Sequence, residues 1–108
     1  MSYSPLSSGF FVVGSKGSPV LEKSRQGNYA LVFVKKTDAV RYSEQMCEVR
    51  QVSKQDYKIS MMPINQIQRL LSHARVRVCV IENWDTVLAW KAEGKPQDWK
   101  LVTKRHKA

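Results

Sequence analysis

The sequence predicts an α+β domain, a single antiparallel-dominated sheet of five to seven strands with two helices packed on one face. Three observations carry this expectation. Short apolar runs separated by glycine turns fill the first third of the chain, a strongly amphipathic segment occupies residues 63–74, and a strand with two distinct faces follows at residues 75–82. A chain of 108 residues with 43% apolar content buries enough surface for one core and too little for two. The domain is expected to span residues 9–103, between a loose Ser- and Pro-rich segment at residues 1–8 and a basic tail at residues 104–108.

GFFVV is bounded by Gly9 and Gly14, and GSKGS is expected to fold it back on PVLEK as a hairpin. RQGN then turns the chain into YALVFV, completing a three-stranded meander. In KKTDAVRYSEQMC, Thr37 stands where a helix cap belongs and Asp38 falls in the first turn, favourable against the helix dipole. Ala39, Val40, Met46 and Cys47 share one face of this helix, expected to run for about ten residues. A strand is expected in EVRQVSKQDYKISM, with a break at residues 53–56.

PINQIQRLLSHA is the clearest element. Pro63 suits a first helical position, and Ile64, Ile67, Leu70, Leu71 and Ala74 form one apolar stripe. In the strand that follows, Val76, Val78 and Val80 share one face and Arg77, Cys79 and Ile81 the other. NWDT is expected to turn the chain, TVLAW to form the next strand, EGKP to turn again and DWKLV to close the sheet. Ile67, Leu70, Leu71, Val78 and Val80 are the expected core.

Eighteen Lys and Arg against nine Asp and Glu give a formal charge of +9, a field that attracts polyanions or acidic protein surfaces. Two cysteines, Cys47 and Cys79, are too few for a secreted disulfide framework, and neither His73 nor His106 stands at zinc spacing from them. No metal or cofactor is expected. MSYSPLSSG has neither a basic nor an apolar leader region, and no apolar run approaches a membrane span. The expectation is a soluble, cytoplasmic protein with no membrane partner.

Catalytic signatures are missing. GSKGS lacks the Walker spacing, the histidines lie far apart, and the carboxylates are dispersed. Glu82 and Asp85 flank Asn83 and Trp84 at a strand end, an arrangement that an Asx-type turn explains. The expected function is non-enzymatic binding of a macromolecular partner.

Candidate contact residues are Trp84, expected to be partly exposed in its turn, Arg75 and Arg77 at the start of a central strand, Lys35 and Lys36, and Lys104, Arg105 and Lys107 in the tail. One reading is a protein-interaction module that binds a partner protein, or itself as a homo-oligomer, through a sheet edge or the Trp84 turn. The alternative is a nucleic-acid binder using the basic clusters on the sheet rim and the tail.

Two segments, GSPVLEKSRQGNYALVFVKKTDAVRYSEQ and MPINQIQRLLSHARVRVCVIENWD, follow the order strand, glycine turn, strand, helix, then helix and central strand. In this they resemble the SseB-like family of small bacterial α/β modules. Members of that family more typically end the central strand in an Asn-Pro-like turn, where this chain has Glu82-Asn83-Trp84. Its strong positive charge is not a family trait either. The resemblance implies an interaction module without known catalysis and assigns no functional residue.

Overall fold

A computed structural model describes residues 7–24, 27–51 and 56–93. It contains strands β1 (Ser8–Val13), β2 (Leu21–Ser24), β3 (Gly27–Phe33), β4 (Lys58–Pro63) and β5 (Arg77–Ile81), and helices α1 (Lys36–Arg50), α2 (Ile64–Ser72) and α3 (Trp84–Ala92). The α+β class and the single open sheet are as the sequence predicts. The expected last strand in DWKLV and the tail lie outside the described residues.

β3 is the spine of the sheet. Its run Tyr29, Ala30, Leu31, Val32 and Phe33 is buried throughout, the pattern of a strand covered on both faces. Along one edge it pairs in parallel with β5, from Tyr29 opposite Arg77 to Phe33 opposite Ile81. The other edge is shared: Leu21 of β2 lies opposite Ala30, and Phe10 of β1 lies opposite Phe33, both antiparallel. β1 and β2 therefore lie end to end along β3, with residues 14–19 looped out between them.

That loop is the GSKGS turn, held by the Gly14 amide donating to the Ser18 carbonyl and the Gly17 amide donating to the Gly14 carbonyl, each at 2.9 Å. Gly17 sits at φ 81, which glycine adopts without a Cβ clash. The expected ladder between GFFVV and PVLEK does not form. An isolated Val13–Pro19 bridge joins them, because both strands bond to the same edge of β3. β4 runs antiparallel along the far side of β1, from Ser8 opposite Pro63 to Val13 opposite Lys58.

Placement of both helices on one face is corrected by the packing. Val12, Leu31, Phe33, Cys79 and Ile81 meet Ala39 and Tyr42 of α1 and Trp84 and Val87 of α3, whereas Phe11, Val32 and Val80 meet Ile64 and Ile67 of α2 on the opposite face. Crossover chirality supplies the reason. The chain passes from β3 through α1 outward to β4, then from β4 through α2 back across the sheet to β5. Parallel crossovers share one hand, so two that travel in opposite directions pass over opposite faces.

The alternation of Val78 and Val80 against Cys79 and Ile81 holds. Leu70, expected in the core, is instead 53% exposed. Close seating of α2 depends on Gly9, where a Cβ would fall 2.4 Å from Val32 Cγ1 and 2.9 Å from Ile64 Cγ1.

Residues 84–92, read from the sequence as turn and strand, form helix α3. Asn83 Oδ1 accepts the Asp85 amide at 3.0 Å and so begins the helix as an Asx cap. Trp84, Val87 and Leu88 then fall at i, i+3 and i+4, facing the core. Trp84 is corrected from a partly exposed turn residue to a core residue with 1% exposure. Its ring stands edge-on to Phe33 at 5.6 Å and to Tyr42 at 5.4 Å.

Helix α1 also departs from expectation. It starts at Lys36 and runs fifteen residues, with no side-chain cap at its start. Thr37 lies inside it. Asp38, 5% exposed, accepts the Trp84 amide at 3.0 Å, so its carboxylate ties α3 to α1.

Candidate docking groove

On the α2 face a groove of about 250 Å³ is lined by Phe11, Met62, Ile67, Leu70 and Leu71, together with Gly17 and Pro19 of the looped-out turn. Each element contributes by its own periodicity. Phe11 of β1 and Met62 of β4 lie on the strand faces turned toward α2. Ile67, Leu70 and Leu71 fall at i, i+3 and i+4 and form the helical wall.

Charge is partitioned around this groove. Residues 1–21 and 57–81, which supply β1, the looped-out turn, β4, α2 and β5, contain no Asp or Glu. They contain Lys16, Lys58, Arg69, Arg75 and Arg77. Several carboxylates belong to the other face: Asp38, Glu44 and Glu48 are on α1, Asp85 is on α3, and Glu22 accepts the Tyr42 hydroxyl, whereas Asp56 lies with Lys16 beside the looped-out turn. Lys16, Lys58, Arg69 and Arg75 are exposed.

Part of the charge on that face is paired internally. Arg41 bonds Asp85 at 2.7 Å and lies 3.6 Å from Asp38. The hydrogen bond from Arg41 holds the Asp85 carboxyl below its ordinary range, with the positive charges of Arg41 and Lys35 adding to it. Burial pushes the Tyr42 phenol far above its ordinary value, and the neighbouring Glu22 carboxylate pushes the same way.

The basic residues singled out in the sequence do not form one patch. Lys35 and Lys36 are exposed beyond the C-terminal end of β3, whereas Arg77 pairs with Tyr29 near its beginning. The intervening residues of β3 put roughly 13 Å or more between the two levels. Arg77 turns to the α1 face, where it donates to the Tyr29 hydroxyl at 3.3 Å and lies 5.9 Å from the ring centre. Arg75 remains exposed in the turn after α2. Lys104, Arg105 and Lys107 lie outside the described residues.

His73 ends α2, before β5, while Glu82 and Asp85 follow β5, so these three groups stand at opposite ends of that strand. Another concavity, of about 480 Å³, is lined by Lys16, Arg50, Tyr57, Ser15, Ser18 and Asp56. It mixes both signs of charge, and Arg50 donates to the Tyr57 hydroxyl at 3.3 Å. Neither Cys47 nor Cys79 forms a disulfide; both are buried. No helix among the described residues is long and apolar enough to cross a membrane.

The groove itself was missed from the sequence, although two signals bear on it. One is the width of the apolar stripe at residues 64–74, and the other is the long acid-free span that contains it.

No protein-family model matches the chain, and no curated protein sequence matches it. Among solved structures it is similar to Anabaena Tic22, described as a protein-transport protein, with a TM-score of 0.55 and 8% sequence identity. The alignment covers 87% of this chain and 52% of the other, so this chain spans about half the length of that neighbour. At this identity the likeness is one of fold alone.

Proposed function

We propose that this chain is a non-enzymatic, cytoplasmic protein-interaction module that holds an acidic, apolar-anchored segment of a partner protein in the α2-face groove. The observation that carries this reading is the coincidence of an apolar lining with lining elements that contain Lys and Arg and neither Asp nor Glu. Apolar side chains seated on Phe11, Met62 and Leu70 supply affinity through burial. The surrounding cations favour carboxylates on the segment's flanks and repel basic competitors. The SseB-like resemblance, which implies an interaction module, is compatible with the same reading.

Display selection of short random peptides on the wild-type protein tests it, with Leu70→Asp as the counter-target. Recovered peptides should combine Leu, Phe or Trp anchors with Asp or Glu flanks, and Leu70→Asp should weaken their binding by roughly ten-fold or more. Raising the salt should weaken it further. Failure to enrich any acidic peptide, or equal binding by Leu70→Asp, would defeat the proposal. Retention of a random-sequence DNA duplex in place of peptides would turn the reading to nucleic acid.

A further inference from the structure

The geometry points to β4 as the strand onto which the partner segment is added, with the segment extended and its main chain bonded to Ile59 and Met61. This rests on the groove reading and specifies the conformation and register of what the groove holds.

The argument begins with one hydrogen bond. The Ile64 amide donates to the Ser7 carbonyl at 2.9 Å, which continues the β1–β4 register one step beyond Ser8 opposite Pro63. Antiparallel ladders alternate hydrogen-bonded and non-hydrogen-bonded pairs. The hydrogen-bonded pairs are then Gly9 with Met62, Phe11 with Ser60 and Val13 with Lys58, whose amides and carbonyls turn toward each other. Ile59, Met61 and Pro63 alternate with them and turn their backbone groups away from β1. Pro63 lacks an amide only on the side where β1 needs none, as proline in an edge strand does.

Among the described residues no strand pairs with this outer edge. Exposed edges are ordinarily blunted by charge, yet Ile59, Ser60, Met61 and Met62 carry none, and Lys58 and Pro63 stand only at the ends. Met61 is 61% exposed on the α1 face, and Met62 lines the groove on the other. A strand added here would present alternate side chains to these two methionines, one set entering the groove and the other covering Met61. An acidic segment is favoured over a second copy of the chain, which would bring another charge of +9 against the same basic face.

The test uses the tightest-binding peptide from the display selection. On adding it to the wild-type protein, amide hydrogen exchange should slow at Ile59 and Met61, which turn outward. Met61→Pro removes one outward amide without touching the β1 ladder and should weaken the peptide by roughly ten-fold, the value of a main-chain hydrogen bond with its desolvation. Its circular dichroism should match the wild type; if it fails to fold, the exchange measurement on the wild-type protein decides alone. A peptide that binds through Leu70 while exchange at Ile59 and Met61 stays unchanged overturns strand addition and leaves the groove reading standing. A protein that dimerises and loses its dimer with Met61→Pro also overturns it, since the edge would then belong to a second copy. If no peptide binds, both proposals fall together.

Discussion

Replacing Arg75 by glycine should make the protein more stable and a poorer binder of acidic peptides. Arg75 follows α2 at φ 58, in the left-handed region. The Val76 amide reaches back to the Leu71 carbonyl at 3.0 Å and the Arg75 amide to the Ser72 carbonyl at 3.1 Å, the paired bonds of a Schellman motif with Arg75 where glycine is usual. An L-residue in that conformation costs about 1–2 kcal/mol, and the larger unfolded-state freedom of glycine offsets about 0.5–1 kcal/mol of the relief. The net expectation is a gain of roughly 0.5–1 kcal/mol, or a rise of roughly 2–8 °C in Tm for a domain near this size. Urea unfolding and thermal circular dichroism measure it directly. Arg75→Ala keeps the left-handed strain and should stay within about 0.5 kcal/mol of the wild type, while losing as much peptide affinity as Arg75→Gly. A glycine variant no more stable than wild type, or an alanine variant that gains equally, would refute the reasoning.

Trp84→Ala should cost about 3–5 kcal/mol, a large share of the roughly 5–15 kcal/mol available to a small domain; a urea midpoint near that of the wild type would contradict the aromatic cluster. Asp38→Ala leaves the buried Trp84 amide without its acceptor and should cost about 1–3 kcal/mol, read in the same titration. Tyr42 has a raised pKa because burial, and then Glu22, disfavour its phenolate. Its contribution is therefore fully present below the unfolded value of about 10 and lost as pH rises above it. Stability measured from pH 8 to 11 should fall less steeply in Tyr42→Phe than in the wild type, and identical slopes would show that Tyr42 ionises as readily folded as unfolded. Leu70→Asp, at an exposed position, should stay within about 0.5 kcal/mol of the wild-type stability, which keeps its effect on binding interpretable.

Local periodicity carried much of the fold. The stripe of α2 and the two faces of β5 were legible because each pattern runs through a single element, and RQGN marked the β2–β3 hairpin. What sequence reading missed depends on partners far along the chain. Asp38 read as a favourable first-turn residue, yet its carboxylate serves α3, forty-six residues away. Trp84 read as partly exposed because Asn83 and Asp85 flank it, although those polar neighbours are the cap and first turn of a helix whose apolar side holds the tryptophan. Helical spacing of Trp84, Val87 and Leu88 was visible and lost to the β-like run VLAW. Among the candidate contact residues, Arg75 retains an exposed place near the end of α2, while Arg77 is drawn onto Tyr29 by parallel pairing that no local signal announces.

The groove follows from topology rather than from any one residue. Opposite-going crossovers put α1 and α2 on different faces, and Asp38 and the aromatic cluster then bring α3 back to the α1 face. Among the described residues a single nine-residue helix covers the other side. Four strand positions at about 4.8 Å spacing span roughly 14–19 Å, whereas a helix with its side chains is about 10 Å across. Among the described residues, space for one more strand-width element therefore remains beside α2, over Phe11 and Met62. It adjoins β4, an edge strand whose central residues carry no charge and which, among the described residues, has no second neighbour. Carboxylates excluded from every element around that space make it a place where an acidic extended segment completes the sheet and its cover together.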